Sequence, residues 1–435
     1  MKKEVNFEQL SLNDTLLNVV QKLYFKRPTD IQSEAIPHII AGKSIIGQSQ
    51  TGSGKTHAYL LPLLNKLDED KKEVQIVITA PTRELAMQIF EEIKTMTELA
   101  GKQNVWTSRL IVGGLDRERM IKQLQNTPQM IVGTPGRILD MVNEGAISIY
   151  SARSFVIDEA DLMLDLKFIE TIDELLVRSK KDVQILVFTA TIPVQLQHFM
   201  DKYLSRPIHI KIEHSTSPET LVHRLIDIKH QDIVRKIIDI SKVIQPYVAI
   251  IFANSKEKVD EIAQGLNEEG LNVGVLHGGL SSRERKRMVK AIMDLKYQYI
   301  VATDLASRGI DIKGASHVIN AELPKEMEFY IHRVGRTARA GLEGMAISFY
   351  HENDIELIQK LEKNGITFIY SEVKNGEWIE AKRYNKREIR KNTTTALDKE
   401  AWKYVKKPKK IKPGYKKKMK LEQEKIKRRL KKRRK

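Results

Sequence analysis

Short runs of β-branched and apolar residues, separated by stretches of helical periodicity, recur along this chain: SIIG at 44–47, VQIVITA at 74–80, SFVIDEA at 154–160 and VQILVFTA at 183–190. A strand that is apolar at nearly every position must be covered on both faces. Parallel sheets flanked by crossover helices provide that cover, so the pattern specifies βαβ units. A second set repeats the arrangement: YVAIIFA at 247–253, LNVGVLH at 271–277, YQYIVATD at 297–304, HVINAEL at 317–323 and MAISFY at 345–350. With 435 residues, the chain also exceeds the roughly 250–300 at which one hydrophobic core stops growing. Two doubly wound α/β domains are predicted, over 1–212 and 213–370, with a tail over 371–435. The segment RPIHIKIEHSTSPET at 206–220 reads as the connector, with the boundary near Glu213. A faint internal echo, VGGLDRERM ending at Met120 and HGGLSSRERKRM ending at Met288, hints that the halves are related.

Charge separates the tail from the rest. The chain carries +18 overall, yet residues 381–435 hold 26 of the 74 Lys and Arg and 5 of the 56 Asp and Glu, a net of +21. The remainder is therefore at −3. The tail is too poor in apolar residues to offset its ordering entropy and is expected to be disordered on its own, an electrostatic arm suited to nucleic acid. No run approaches the about 20 apolar residues needed to span a bilayer, so no membrane partner is expected. The absence of cysteine points away from disulfide stapling and toward a cytoplasmic setting.

The strongest local signal is SQTGSGKT at 49–56, directly after the run SIIG and before a helical stretch. Gly52 and Gly54 free the backbone amides to wrap phosphate oxygens, Lys55 reaches the outer phosphates, and the Thr56 hydroxyl suits Mg²⁺. Ser49, Gln50, Thr51 and Ser53 complete the loop. The run SFVIDEAD ends in acids, and the C-terminal ends of parallel strands face the ligand crevice. Asp158 thus fits a metal-binding acid, holding Mg²⁺ through water, and Glu159 a base that polarises attacking water.

With these motifs in place the chain resembles the DEAD-box ATP-dependent RNA helicases over about residues 7–350, literally including Asp158-Glu159-Ala160-Asp161. The resemblance implies two tandem RecA-like domains, ATP and Mg²⁺ as cofactors, and single-stranded or short duplex RNA as partner. YFKRPTDIQ at 24–32 resembles the family's adenine-reading motif, in which Phe25 offers a stacking face and Gln32 an amide donor and acceptor. The family has Gly where Tyr24 stands. Pro81-Thr82-Arg83, Gly113-Gly114 and Thr134-Pro135-Gly136-Arg137 resemble its RNA-contacting turns, and Thr189-Ala190-Thr191 its coupling motif with Thr in place of Ser. In the second half, Gly278, Arg285 and Thr303 are implied at RNA, and Asp304 and Gly309 at the nucleotide. The family commonly has Gln where Ser282 stands. HRVGRTAR at 332–339 supplies His332 and Arg333 for coupling, and Arg336 and Arg339 as arginine fingers, which can be worth about 10³–10⁵ in rate. Ala338 replaces the family's Gly.

The basic end, including KKPKKIKPGYKKKM, resembles the tails of the cold-shock members of Gram-positive bacteria, which implies RNA remodelling at low temperature with ribosomal or RNA-degradation partners. Trp378, Trp402, Tyr404 and Tyr415 lie among the basic residues and could stack on unpaired bases. Two alternatives stand beside this reading: a DNA translocase, and an ATP-independent RNA chaperone acting through the tail.

Overall fold

The apolar runs become strands buried on both faces, in two separate sheets. The structure is a computed structural model that describes residues 5–50, 52–114, 116–212, 220–229, 231–304, 312, 314–338, 343–381 and 383, with isolated positions at 405, 419, 423, 425, 426 and 429. The first sheet comprises β1 (Ile45–Gln48), β2 (Ile76–Thr79), β3 (Ser108–Ile111), β4 (Met130–Gly133), β5 (Ser154–Ile157), β6 (Gln184–Thr189) and β7 (Ile208–Lys211). Its order is β3-β4-β2-β5-β6-β1-β7, and every pairing is parallel. The second comprises β8 (Leu221–Asp227), β9 (Val248–Phe252), β10 (Val273–Leu276), β11 (Tyr299–Ala302), β12 (Ala315–Asn320), β13 (Gly344–Tyr350), β14 (Phe368–Lys374) and β15 (Glu377–Glu380). Its order is β10-β11-β9-β12-β13-β8-β14-β15, parallel except for the final antiparallel hairpin. This is the two-domain parallel α/β architecture that the apolar pattern specifies.

Successive residues serve opposite faces of each sheet. In the first, Ile45, Ile76, Ile78, Val156, Leu186 and Phe188 join one core, while Ile46, Val77, Phe155, Ile157, Ile185 and Val187 join the other. In the second, Ile251 and Val301 pack on one side and Ile250 and Ile300 on the other. Each such side chain contributes about 1.5–3 kcal/mol on burial, so the sheets are the stable platforms from which the loops project. Among the described residues no helix is long and apolar enough to cross a membrane.

The structure departs from the sequence reading at its margins. Part of the segment read as connector is strand: Ile208, Ile210 and Ile212 alternate with polar residues, and β7 adds to β1 as a half-exposed edge. Glu213 lies outside the described residues, between the last strand of one sheet and the first of the other. The second sheet also runs past residue 370. Asn375 and Gly376, both at positive φ, make the two-residue turn joining β14 to β15. Trp378 therefore sits on a strand with the Arg224 guanidinium 4.5 Å from its ring centre, so one face is already stacked. Trp402, Tyr404 and Tyr415 lie outside the described residues.

The internal echo is structural. Each copy follows an edge strand, β3 or β10, with a Gly-Gly turn and then a helix capped by Asp116 or Ser281.

One glycine is fixed by backbone rather than by side chains. A β-carbon on Gly133 would lie 2.1 Å from the carbonyl oxygen of Ile111, its partner on β3. Gly133→Ala should therefore displace the edge strand and cost about 1–3 kcal/mol. Gly136→Ala, with nothing within 4 Å of the added atom, should be neutral or slightly stabilising. Chemical denaturation of the two variants beside the parent checks this, and equal midpoints for both would contradict it.

Candidate active site and RNA face

Three neighbouring strands, β5, β6 and β1, deliver the nucleotide-side motifs to one edge of the first sheet. The Ser49 N–H donates to the Thr189 carbonyl at 3.0 Å, tying the loop after β1 to the end of β6. Ser49 and Ser53 share a hydroxyl hydrogen bond of 2.7 Å, and Ser53 Oγ donates to the Gln50 carbonyl at 2.8 Å. Gly52 and Gly54 take φ of +83° and +92°, where a side chain would be strained. The helix Lys55–Asn65 starts here, so its free N–H groups face the loop. Lys55 is buried, and its Nζ donates to the Ser49 carbonyl at 2.6 Å. Thr51 lies outside the described residues.

The acidic end of β5 meets this loop. Asp158 is buried and accepts from the Tyr59 hydroxyl at 2.9 Å and from the Glu159 N–H at 3.0 Å. Burial pushes its carboxyl up, while Lys55, Tyr59 and the Glu159 amide pull the other way. Burial also raises Glu159, against the opposing charge of Arg336. Glu159 has φ +50°, a left-handed conformation costly for a residue with a side chain, as is common where function holds the backbone. Tyr59 was not anticipated, though it lies one helical turn beyond Lys55 on the same face, a spacing the sequence displays.

Asp161 is the joint of the site. One oxygen accepts from the Ala190 N–H (3.2 Å), the Thr191 N–H (3.0 Å) and the Thr191 hydroxyl (3.1 Å). Its own N–H donates to Thr189 Oγ1 at 3.2 Å, and that hydroxyl donates to the Thr191 carbonyl at 2.7 Å. Burial pushes the Asp161 carboxyl up, but His332, Lys55 and the amide donors outweigh it and hold it below the usual range. His332 and Arg336, from the second sheet's domain, thus stand close enough to act electrostatically on Asp161 and Glu159 of the first. Arg339 and Gly309 lie outside the described residues.

Arg333 has a different place from the coupling role that the resemblance implies. It is almost fully buried within the second domain, where Nε and Nη2 meet the two oxygens of Asp304 at 2.5 and 2.7 Å. Its other donors reach Asn254 Oδ1 at 2.8 Å, Asn320 Oδ1 at 3.2 Å and the Glu322 carbonyl at 2.6 Å. Arg333 is a fully satisfied structural fork that holds Asp304 against the end of β11.

The adenine-side residues converge on the same loop. Gln32 is buried, accepting from the Thr29 N–H at 3.0 Å and donating to the Gly54 carbonyl at 3.2 Å. An amide has two donors and two acceptor lone pairs, so one of each remains for a base edge. Phe25 stacks with Phe7 at 6.5 Å and meets the His57 ring edge-on at 4.9 Å. Tyr24 has φ +58° and is 90% exposed, so it occupies a glycine-type conformation with its ring in solvent. Ala338 repeats the pattern at φ +54°.

The adjoining strands β3, β4 and β2 carry the other turns. Thr82 caps the helix Arg83–Leu99 by accepting from the Leu85 N–H, and Thr134 with Pro135 opens the helix Pro135–Asn143. The Arg83 guanidinium lies where a β-carbon of Gly113 would be, 2.8 Å away, and Gly114 has φ +83°. Arg137 reaches Asp140 at 3.5 Å. Gly278 has open space around it, and the Thr303 N–H donates to the Leu276 carbonyl at 3.0 Å. Arg285 pairs across the cleft with Glu84, so its Nε is engaged by protein rather than free for RNA.

These residues fit a magnesium nucleotide. The glycine cradle has no room for a side chain, since a β-carbon at Gly54 would come within 2.6 Å of Gln32. The described residues hold no cluster of three or more metal-ligating side chains. Asp158 beside Thr56 is the donor set of an ion that takes its remaining oxygens from phosphate and water, as Mg²⁺ does.

Residues 29–199 match the DEAD/DEAH box helicase family, and residues 229–341 match the helicase conserved C-terminal domain. The chain is 50% identical over 426 residues to CshB, a DEAD-box ATP-dependent RNA helicase of Bacillus subtilis, covering 98% of this chain and 97% of that one. It is 43% identical to CshB of Listeria monocytogenes over 99% of both chains. The solved structure of S. cerevisiae Dbp5 bound to RNA and ADP BeF3 aligns with a TM-score of 0.77 at 30% identity, covering 84% of this chain and 95% of that one. The chain belongs to the DEAD-box ATP-dependent RNA helicases.

Proposed function

We propose that this helicase uses ATP to clamp single-stranded RNA and locally separate short duplexes, with the site residues acting as follows. The observation that carries the reading is the approach of His332 and Arg336, from one domain, to Asp161 and Glu159 of the other. Hydrolysis then requires both domains at once, because neither holds a complete set of charges. Lys55 balances the outer phosphates, and Gln32 with Phe25 holds the adenine. Glu159, whose carboxyl burial pushes up against the charge of Arg336, takes the proton of the attacking water. Arg336, with Arg339, steadies charge on the transferred phosphoryl group. Thr56 and Asp158 would hold Mg²⁺, which supplies charge neutralisation at the phosphate oxygens when bound. Thr189, Thr191 and Asp161 relay the state of the nucleotide to the RNA-side turns.

RNA would run over Pro81, Thr82, Arg83, Gly113, Gly114, Thr134, Pro135 and Arg137 of the first domain, and Gly278, Arg285 and Thr303 of the second. Such contacts address sugar and phosphate rather than base edges. The resemblance of the basic tail to those of the cold-shock members is the ground for proposing a cytoplasmic role in RNA remodelling at low temperature, ribosome assembly or mRNA turnover, with ribosomal or RNA-degradation proteins as partners. An ATP-independent annealing activity of the tail is the second reading, carried by its net charge of +21.

Lys55→Ala and Glu159→Gln should each lower RNA-stimulated ATP hydrolysis by about 10² or more. Glu159→Gln should still bind ATP and RNA. Turnover within twofold of the parent in either variant would remove its assignment. The intact protein should prefer ATP to GTP, and Gln32→Ala should reduce that preference by about tenfold as hydrogen bonds to the base edge are lost. An unchanged preference ratio in steady-state kinetics would contradict this. Removal of residues 382–435, which begins beyond the last strand, should weaken RNA binding and flatten its salt dependence, since each phosphate neutralised adds about 0.7 to the log–log slope on single strands. Affinity and slope measured by titration at several salt concentrations check it, and identical values with and without the tail would assign it another job.

A further inference from the structure

His277, which follows β10 and precedes the Gly278-Gly279 turn, is held on both ring nitrogens. Nδ1 lies 3.0 Å from the Gly279 backbone nitrogen, and Nε2 lies 3.0 Å from Asp260 Oδ1 on the helix Lys256–Glu268. A backbone N–H can only donate, so Nδ1 must be the unprotonated acceptor. The ring proton is then on Nε2 and donates to the Asp260 carboxylate. The imidazole is 7% exposed and lies flat against the turn: a β-carbon at Gly279 would meet Cε1 and Nδ1 at 3.0 Å. Gly278 has open space where its side chain would be. The equivalent turn in the first domain is preceded by Val112 and braced instead by the Arg83 guanidinium over Gly113, so the histidine device belongs to the second domain.

We infer that His277, oriented by Asp260, is a positioning residue that sets the Gly278-Gly279 turn in its RNA-receiving shape. The inference rests on the reading that Gly278 faces RNA. A carboxylate fixes the tautomer, the tautomer supplies the acceptor, and the acceptor bends the backbone so that the outer face of Gly278 stays open. The Lys256 side chain lies 3.5 Å from where a β-carbon of Gly279 would be, and its ammonium leans toward Glu257 at 3.8 Å. An asparagine at 277 could still accept from the N–H two residues on, as in an Asx turn.

The test uses the full chain, a fluorescent single-stranded oligonucleotide RNA, and RNA-stimulated ATPase assays. His277→Ala should raise the RNA concentration for half-maximal ATPase about three- to tenfold, the worth of one such hydrogen bond, with kcat at saturating RNA within twofold. His277→Asn should keep the RNA affinity of the parent. Asp260→Asn should move the same way as His277→Ala, by less. If His277→Asn is as impaired as His277→Ala, the inference is overturned. Gly278→Val separates the two readings: unchanged RNA affinity there removes the RNA-facing turn itself, whereas weakened binding there with an unaffected His277→Ala removes only the positioning role.

Discussion

Parallel pairing is the constraint on which the rest of this molecule depends. When every strand of a sheet runs the same way, all of its C-terminal ends emerge at one edge, and the loops there become neighbours however far apart they lie in sequence. In the first domain the order β3-β4-β2-β5-β6-β1-β7 sorts them further. The strands that end in the phosphate loop, the acidic turn and the Thr-Ala-Thr turn lie together in one half of the sheet. Those that end in Thr82, Gly113 and Thr134 fill the other half. The two groups of loops are thus adjacent because the strands are, and the cores on the two faces hold that adjacency rigid.

Much of this was legible from residues alone. The strands buried on both faces declared themselves as unbroken apolar runs, and the glycine-rich loop and the acidic strand end declared their chemistry by type and position. What escaped was of two kinds. Edge strands such as β7 carry an alternating Ile pattern short enough to pass for a connector, and the hairpin at Asn375-Gly376 was hidden by its proximity to the basic tail. The second kind is partnership. No spacing announces that Arg333 spends its donors on Asp304, Asn254 and Asn320, or that Arg285 meets Glu84. Those pairings depend on where two distant loops arrive, which only the fold determines.

Three of the residues with side chains at positive φ belong to the motifs read from the sequence. Glu159 adopts a left-handed φ between the acidic strand end and its helix, and Tyr24 and Ala338 do so as well. Glutamate is held there by the groups that surround its carboxyl. The Tyr24 ring is 90% exposed, so at that position the fold tolerates a cost of order 1 kcal/mol that a glycine would avoid.

The hydrogen bonds around Asp161 have an evolutionary consequence. Two of the donors that bind it to the end of β6 are main-chain N–H groups, of Ala190 and Thr191. Apart from proline, no substitution at 190 or 191 can delete an amide, so the donating side of this joint is nearly independent of genetic code. The accepting side has no such freedom, because one carboxylate of fixed length must span the gap. Drift is therefore cheap on one side of the joint and forbidden on the other, and at 189 it is the hydroxyl that accepts from the Asp161 N–H which has to be kept.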